Sequence, residues 1–361
     1  MSREDPTATG GASADDTSRS GARTHRVLVT GAAGYVGRLL VAALAAREDV
    51  ERIVALDVTP VADTPWGPSS SRVPASSEDQ HEDEDERDAD VTYVQLSVCD
   101  PGVSDLVRDS AITCVVHMAS VVRPPKHGGD DLAYRVDVEG TQNVLDACLA
   151  HGVKKLIVTS SGAAYGYHAD SPGWLSEDDP VRGNQEFAYS YHKRLIEEML
   201  ARARTEHPEL KQLIFRPGTV LGESVHSPVT DLFEKPVMLG VRGYPSPFVF
   251  IWDEDVVECL VRGVVGSHTG VYNLAGDGAM TPQEIAKTLG KRFVPVPAAL
   301  LSTALFVLKK LGKSPYGPEQ LKFLQYRPVL SNARLKQEFG YTPRLSSREA
   351  FERYARAQKH A

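Results

Sequence analysis

Cysteine is scarce in this chain of 361 residues, which contains four of them. They are widely spaced and form no CxxC pair, and no two histidines have the spacing of a zinc site. We therefore expect neither a disulfide framework nor a bound metal. A long chain without disulfides suits a reducing cytoplasm, which is the expected location. The cysteines, expected to be small buried hydrophobic side chains, are Cys99, Cys114, Cys148 and Cys259.

Long hydrophobic runs are absent as well. No apolar stretch reaches the ~20 residues that a helix needs to span a bilayer, so we expect no integral membrane segment. Residues 1–24 are rich in Ser, Thr, Gly, Ala, Asp and Arg and lack the apolar core of a signal peptide. Their composition predicts a disordered tail.

Basic charge is not in excess either, since 48 acidic and 40 basic residues give a formal net charge of −8. The run 78–90 holds nine acids and one base, Arg87, so the rest of the chain is neutral. An overall basic field is thereby excluded, and we expect no nucleic-acid partner. This run ends a proline-, serine- and acid-rich segment, residues 60–90, which predicts a flexible surface insert.

Short β-branched runs alternate with amphipathic helical patterns over residues 25–220. This alternation predicts an α/β fold: a Rossmann-type, doubly wound parallel sheet with helices on both faces. The predicted strands are residues 27–30, 53–57, 92–96, 112–117, 155–160 and 213–216. The predicted helices are residues 35–47, 132–151 and 189–204.

In residues 221–361 the alternation of strand and helix patterns is less regular. This region predicts a smaller C-terminal α/β lobe that binds the substrate, with some segments returning to the Rossmann sheet. Strands are predicted at residues 248–251 and 271–274. The apolar segment 297–311 has two interpretations. It is either a core or lid helix of this lobe, which the sequence favours, or a surface that faces lipid, and it is too short to span a bilayer.

A glycine motif links the first predicted strand to the first predicted helix, in the run Thr30-Gly31-Ala32-Ala33-Gly34-Tyr35-Val36-Gly37. Gly31 would allow the tight turn, Gly34 the approach of a pyrophosphate to the backbone, and Gly37 close packing of helix on strand. The phosphate would lie at the helix N-terminus, beside Tyr35 and Val36. The flanking strand and helix favour a dinucleotide site over a plain glycine turn.

Asp57 ends the next predicted strand, in the place of the acidic residue of dinucleotide sites. Its carboxylate can accept bonds from the ribose hydroxyls of adenosine and would repel a 2′-phosphate. Neither Val58 nor Thr59 supplies an arginine to neutralise such a phosphate. The expected cofactor is therefore NAD rather than NADP.

Tyr189 and Lys193 are four residues apart on a predicted helix and share one face of it, where an ammonium can lower the pKa of a phenol. This pair alone is a weak signal in a chain with 13 tyrosines. Ser161 strengthens it, because it follows a predicted strand at the carboxyl edge of the sheet, where open α/β folds bind ligands. We expect these three residues to be catalytic.

Together these motifs resemble those of the extended short-chain dehydrogenase/reductase superfamily, in its NAD-dependent epimerase/dehydratase branch, and those of UDP-glucose 4-epimerases in particular. The matching motifs span about residues 26–356. Besides the glycine run and the Tyr–Lys pair they include residues 117–120, 137–143, 159–166, 216–220, 248–256, 272–276 and 340–343.

The resemblance implies a role for each matching residue. Tyr189 would exchange a proton with the substrate, Lys193 would bind the nicotinamide ribose, and Ser161 would orient the reacting oxygen. Hydride would pass between a substrate carbon and nicotinamide C4. Further cofactor contacts would come from Val98 at the adenine, Ala119 and Ser120 at the middle of the dinucleotide, and Pro217 at the nicotinamide.

Departures from the family pattern narrow the reaction. Dehydratases of this branch carry Asp-Glu after the catalytic hydroxyl residue, where this chain has Gly162 and Ala163. A dehydratase is therefore disfavoured, and so is a decarboxylase. Ser97 replaces an adenine-binding Asp of many relatives, and Asp137 replaces an Asn that braces the catalytic helix. Thr219 stands where nucleotide-sugar enzymes usually have a substrate-binding Asn.

The predicted substrate-binding residues are Ser161, Thr219 and Arg242. Arg242 could bind a diphosphate, although the sequence favours an exposed loop arginine at this position. His226 and Tyr244 are either pocket residues or ordinary loop residues.

The favoured function is 4-epimerisation of a UDP-sugar by transient hydride transfer. One alternative is an NAD(P)-dependent dehydrogenase or reductase of a steroid-like or dihydroflavonol-like alcohol. Another, of a different class, is a non-catalytic NAD-binding sensor or scaffold. The family further implies a homodimer formed through the predicted helices 132–151 and 189–204.

Overall fold

The computed structural model describes residues 24–64, 89–123, 125, 128–311, 317–318 and 320–360. The predicted disordered tail, apart from Thr24, lies outside this part of the chain. The predicted insert lies outside it too, apart from residues 60–64 and 89–90. None of the described helices has the length and apolarity needed to cross a bilayer.

A sheet of seven parallel strands forms the centre of the molecule. The described chain forms these strands, seven of which make up the central sheet: β1 His25–Thr30, β2 Val50–Asp57, β3 Asp90–Gln95, β4 Cys114–His117, β5 Lys155–Thr159, β6 Lys211–Pro217, β7 Thr219–Leu221, β8 Val237–Val241, β9 Phe250–Trp252, β10 Gly270–Leu274 and β11 Arg292–Val296. The order in the sheet is β10-β6-β5-β4-β1-β2-β3. The chain proceeds outward in opposite directions from β1 and β4, which marks the switch point where doubly wound sheets bind ligands. The predicted Rossmann-type sheet is confirmed.

The helices are α1 Tyr35–Ala45, α2 Gly102–Asp109, α3 Gly129–Tyr134, α4 Gly140–Ala150, α5 Ala188–Glu206, α6 Thr230–Glu234, α7 Asp253–Val265, α8 Pro282–Thr288, α9 Ala298–Lys310, α10 Gln320–Gln325, α11 Ala333–Gln337 and α12 Ser347–His360. The predicted helix 132–151 is divided, because a π-helical turn, Arg135–Glu139, separates α3 from α4. Short 3-10 turns occur at Val61–Asp63 and Gly162–Tyr165.

Helices cover both faces of the central sheet, because successive residues of a buried strand point to opposite sides. In β1, Val27 and Val29 belong to the core that includes α1 and α7, whereas Leu28 belongs to the core that includes α2, α4 and α5. All three side chains are fully buried. The continuous apolar strand is thus explained by burial on two faces.

A separate aromatic core supports the smaller lobe, in which β7 pairs with β9 and β8 with β11. The Phe233 ring of α6 makes edge contacts with Phe248, Phe250 and Phe351, with ring centroids 5.5, 6.0 and 5.2 Å apart. Strand β10 does not join this lobe and is instead an edge strand of the central sheet, next to β6.

Helix α9 contradicts the interpretation of segment 297–311 as a core helix. None of its side chains is buried, and Leu300 and Phe306 are 61% and 56% exposed. The helix packs on α10 instead of entering the aromatic core. The core alternative was wrong, because apolar composition shows that a helix needs a partner and does not show which partner it has, whereas the lid alternative stays a prediction.

A buried ion pair joins the sheet to α5. The Arg216 guanidinium of β6 donates to both carboxylate oxygens of Glu197, with Nε 2.9 and 3.0 Å and Nη2 2.5 Å away. The Ser160 hydroxyl donates to the same carboxylate at 2.5 Å, and Arg216 Nη1 to the Tyr165 hydroxyl at 2.7 Å. Burial lowers the pKa of Arg216, but the bonds to Glu197 and Tyr165 outweigh it and raise the pKa.

Replacing Glu197 tests this pair. Glu197→Gln leaves the Arg216 charge buried without a counter-charge, so we expect the free energy of unfolding to fall by about 3–5 kcal/mol in urea denaturation at pH 7. The control is Glu198→Gln at the next position, because Glu198 pairs with Arg194 at a site where both side chains are 37% exposed. Such a pair contributes about 0.3–0.5 kcal/mol. Equal losses in the two variants would contradict a special role for Glu197.

Candidate active site

The glycine turn between β1 and α1 is closed so tightly that side chains do not fit. Gly31 has φ +72°, and a Cβ there would lie 2.8 Å from the Ala119 backbone nitrogen. A Cβ on Gly37 would lie 2.2 Å from the Gly31 carbonyl oxygen. The N–H groups in the first turn of a helix have no partner within the helix. Gly34, the N-cap of α1, has no side chain that could accept from them, so they stay available to a ligand. The turn fits an anion at the helix N-terminus.

Tyr35 and Val36 begin α1, but their side chains point elsewhere. The Tyr35 hydroxyl donates to Asp253 at the start of α7, with 2.5 Å between the oxygens. Burial, together with this bond, raises the pKa of Tyr35 to about 12. Val36 packs against the core that includes α1. Any contact of these two residues with a cofactor phosphate is thus restricted to their backbone N–H groups.

Asp57 lies beside the glycine turn, as expected for the last residue of β2. One carboxylate oxygen accepts from the Ala33 N–H at 3.1 Å. The other accepts from the Thr59 N–H at 3.0 Å and from the Thr59 hydroxyl at 2.8 Å. These bonds fix the carboxylate at the carboxyl end of the sheet, and its partial exposure leaves it accessible to a ribose.

A buried histidine is hydrogen-bonded to Thr30, the residue directly before the glycine turn. His117 Nδ1 lies 2.8 Å from the Thr30 hydroxyl, and Nε2 lies 2.9 Å from the Thr141 hydroxyl. The Thr30 oxygen also accepts from the Ala119 N–H at 3.3 Å. Burial, assisted by the positive charge of Lys193, lowers the pKa of His117 to about 3. The imidazole is therefore neutral at pH 7 and joins β1, β4 and α4 by hydrogen bonds alone.

Asp137, in the π-helical turn, connects the loop after β4 to α5. The fully buried carboxylate accepts from the Ser120 hydroxyl and the Val121 N–H, both at 2.9 Å, and lies 3.1 Å from His192 Nδ1. Burial raises the pKa of Asp137, but the His192 bond and the charge of Lys193 outweigh it and keep the pKa below its usual value. The structure thus pairs Asp137 with His192, a partner that the sequence analysis missed.

The loop that carries Ser161 is bonded to the first turn of α5, which carries Tyr189. Ser161 caps the 3-10 turn Gly162–Tyr165, and its Oγ accepts from the Ala163 N–H at 3.1 Å. The Ser190 hydroxyl, beside Tyr189 at the start of α5, donates to the Ala163 carbonyl at 2.6 Å. The first turn of α5 is therefore fastened to the loop that carries Ser161.

Lys193 lies one turn further along α5 and is almost fully buried. Its ammonium donates to the Thr159 carbonyl at the end of β5, with 3.1 Å between nitrogen and oxygen. The ammonium nitrogen is also 5.6 Å from the centre of the Tyr189 ring. One side chain thus reaches both the sheet edge and the tyrosine.

The other predicted cofactor residues lie at the ends of neighbouring strands. Val98 follows β3 and is buried, and the Asn143 side chain donates to its carbonyl at 2.8 Å. A Cβ on Gly140 would lie 2.6 Å from the Val98 side chain, so the glycine allows this contact. Pro217 ends β6 directly after Arg216. All of them are therefore at or near the carboxyl edge.

Of the predicted substrate residues, Ser161 follows β5 of the central sheet, whereas Thr219 and Arg242 belong to strands or turns of the smaller lobe. Thr219 begins β7, where its N–H donates to the Val249 carbonyl at 3.0 Å. Arg242 and Tyr244 follow β8 in an exposed turn. The His226 side chain is 71% exposed. Thr219 alone among these lobe residues is held close to the central sheet by the strand that precedes it.

Arg327 is a candidate site residue that the sequence analysis missed. Its guanidinium carbon lies 3.7 Å from the centre of the Phe248 ring and 4.3 Å from that of Phe323. Its Nε is buried and lacks a hydrogen-bond partner in the described part of the chain, and burial lowers its pKa to about 9. The ring of Tyr326, next in the chain, lies 5.4 Å from that of Tyr244, so the turn that carries Arg242 adjoins Arg327. A half-buried cation with an unused buried donor suits an anionic ligand.

The neutral state of His117 predicts a pH effect on stability. The unfolded chain binds a proton below a pKa of 6.5, whereas folded His117 does not bind one until the pH nears 3, so stability falls as the pH falls below 6.5. His117→Gln removes this term. We expect the wild type to lose about 1.4 kcal/mol more than His117→Gln between pH 7.5 and 5.5 in urea titrations.

The control for this experiment is His226→Gln, because His226 is exposed. This variant should follow the wild-type pH dependence. If His117→Gln followed it as well, His117 would have to be protonated in the folded protein, contrary to its burial.

Known proteins resemble this chain in sequence or in fold, and three of them follow. An uncharacterized protein of Mycobacterium tuberculosis (strain ATCC 25618 / H37Rv) is 23% identical over 337 residues, 92% of this chain and 84% of that protein. A 3 beta-hydroxysteroid dehydrogenase/Delta 5-->4-isomerase of vaccinia virus (strain Western Reserve) is 27% identical over 202 residues, 54% of this chain and 52% of that protein. The UDP-glucose 4-epimerase of Thermus thermophilus, solved with NAD, has the same fold, with a TM-score of 0.65 and 23% identity over 93% of this chain and 99% of that chain.

The model of the NAD dependent epimerase/dehydratase family matches residues 27–235, which is more than half of the chain. The match begins in β1 and ends after α6, so it includes the glycine turn, Asp57 and helix α5, which carries Tyr189 and Lys193. The chain therefore belongs to the NAD dependent epimerase/dehydratase family, whose cofactor is the one that its sequence predicts.

Proposed function

We propose that the protein is an NAD-dependent 4-epimerase of a UDP-sugar. The observation that carries this proposal is that Ser161, Tyr189 and Lys193 lie where the end of β5 meets α5. Ser161 accepts from the Ala163 N–H, Ser190 beside Tyr189 donates to the Ala163 carbonyl, and Lys193 donates to the Thr159 carbonyl. This junction lies at the carboxyl edge of the sheet, together with a glycine turn that fits a pyrophosphate. Proton transfer and dinucleotide binding can therefore act on one substrate.

NAD would be held by residues from four strand ends. The α1 N-terminus at Gly34 suits the pyrophosphate, and Asp57 suits the adenosine ribose. Val98 is the candidate adenine contact, and Lys193 and Pro217 are candidates for the nicotinamide end. Bound NAD supplies a hydride acceptor at nicotinamide C4.

The chain itself would handle the proton. The Tyr189 phenol would exchange a proton with the substrate hydroxyl, while the Lys193 ammonium stabilises the phenolate by its charge. The Ser161 oxygen already accepts from the Ala163 N–H, which leaves its hydroxyl proton free for the reacting oxygen. Serine would thus position the oxygen from which tyrosine takes the proton.

The residues after Ser161 favour epimerisation over loss of water. Gly162 packs so closely that a Cβ there would lie 3.0 Å from the Leu330 side chain, and Ala163 is buried. Neither position offers an acid or base. We therefore infer a reaction that begins and ends with proton exchange at one hydroxyl.

Arg327 is our candidate for binding the substrate diphosphate. Its buried Nε without a partner would gain a charge-assisted bond to a phosphate oxygen. The exposed Arg242, in the adjoining turn, stays a second candidate. Thr219 in β7 would contact the substrate between these arginines and the catalytic residues.

A second candidate function is a dehydrogenase of a bulky apolar alcohol. Three aromatic rings favour it: Tyr167 contacts Phe187 and Phe323, with ring centroids 5.2 Å apart in each pair. The third hypothesis, a non-catalytic sensor, is disfavoured because Ser161, Tyr189 and Lys193 are all present. We also propose a homodimer through α3, α4 and α5, a surface supported by the exposure of Leu132 and Tyr134 on α3.

Tyr189→Phe tests the reaction directly. With a panel of UDP-sugars, we expect epimer formation without added cofactor, a fall of at least about 10²-fold in the variant, and unchanged NAD content by mass spectrometry of released ligands. Tyr191→Phe, two residues along the same helix, should stay within about threefold of the wild type.

Two results would overturn the epimerase proposal. One is that no UDP-sugar is converted or raises the melting temperature. The other is net NADH accumulation with an apolar alcohol, which would establish the dehydrogenase instead. Equal activity of the wild type and Tyr189→Phe would overturn the role assigned to Tyr189.

Paired arginine variants test the diphosphate site. Arg327→Met should weaken UDP binding, measured by calorimetry, by about 10–100-fold, which corresponds to one charge-assisted bond. Arg242→Met should weaken it less than about threefold, because its exposed charge is screened by solvent. The opposite ranking would assign the diphosphate to Arg242.

A further inference from the structure

Helix α9 presents an apolar surface that nothing in the described chain covers. Every other helix of eleven or more described residues contributes buried side chains, whereas α9 contributes none. Leu300, Phe306, Val307, Leu308 and Leu311 at its end are between 40% and 62% exposed.

The exposed residues occupy the side of α9 that faces away from the protein. Its partly buried residues, Ala298, Leu301, Ser302 and Leu305, recur at helical spacing and form a narrow stripe on one side. The opposite side of a surface helix is normally polar. In α9 it carries the leucine and valine side chains instead, so this surface requires a partner.

The charge around α9 identifies that partner. Residues 285–318 contain no Asp or Glu and six basic residues, in a chain whose formal net charge is −8. The six are Lys287, Lys291, Arg292, Lys309, Lys310 and Lys313. Lys291 donates to the Phe233 carbonyl and Lys313 lies outside the described residues, so these two are left out of the basic border of the helix. Two of the others, Lys309 and Lys310, are exposed in the last turn of the helix. An apolar face bordered by bases is complementary to an anionic lipid surface.

We propose that α9 docks the protein on an anionic membrane, lying in the plane of the lipid headgroups. Its 13 residues extend about 20 Å, which is too short to cross a bilayer. A second copy of this chain is a poorer partner, because a two-fold symmetric contact would bring two basic segments without any acid into one interface. The proposal does not depend on the reaction that the enzyme performs.

Docking would also orient the candidate site. Helix α10 packs on both α9 and β8, and it carries Phe323, whose ring lies 4.3 Å from the Arg327 guanidinium carbon. The substrate end of the site is thus separated from the proposed lipid surface by one short helix. The NAD end, at the glycine turn, lies in the other lobe.

Vesicle co-sedimentation of the full chain tests the proposal. We expect at least about tenfold more protein on vesicles of phosphatidylcholine with about 30% phosphatidylglycerol than on phosphatidylcholine alone, by the order of magnitude that several basic residues contribute. Leu300→Gln/Val307→Gln/Leu308→Gln and Lys309→Glu/Lys310→Glu should each lower binding about tenfold or more, with unchanged melting temperature.

The control carries the same charge change elsewhere. Arg202→Glu/Lys235→Glu alters two exposed bases outside residues 285–318 and should bind vesicles like the wild type. Equal binding to both vesicle types, or equal loss in the control, would overturn the proposal. Dimerisation in analytical ultracentrifugation that the leucine variant abolishes, without vesicle binding, would assign the face to a second copy and overturn it too.

Discussion

The buried pair of Arg216 and Glu197 is the contact on which the candidate site depends. Its members and their direct partners lie on β5, β6, α5 and the 3-10 turn. Ser161 follows Ser160, which donates to the carboxylate, and Lys193 lies one helical turn before Glu197. The positions of the candidate catalytic residues Ser161 and Lys193 are therefore set by a contact in which neither side chain takes part. Such a buried pair costs desolvation and in return limits the arrangement of these elements to one.

Two further buried polar side chains, one neutral and one charged, join the strand ends of the candidate site to α4 and α5. His117 is neutral and acts through two threonine hydroxyls. Asp137 is ionised and acts through Ser120, Val121 and His192. Both are satisfied by hydrogen bonds, which is the condition under which polar groups are tolerated in a core. Rigidity at the carboxyl edge thus comes from polar contacts as much as from apolar packing.

The sequence predicts those features that arise from local spacing. The strand runs, the glycine turn and the Tyr189–Lys193 pair each lie within a few residues, so period and composition are sufficient to identify them. Arg327, the Asp137–His192 pair and the exposure of α9 could not be predicted. Each depends on which distant segment packs nearby, and a single sequence does not contain that information.

The π-helical turn Arg135–Glu139 constrains the length of this segment. A turn of this kind accommodates one residue more than an α-helix does, and it lies where Asp137 must reach both a strand-end loop and α5. Deletion of one residue would restore an ordinary helix and rotate the carboxylate by about 100°. A chain shorter by one residue here would therefore detach Asp137 from the loop after β4 or from α5.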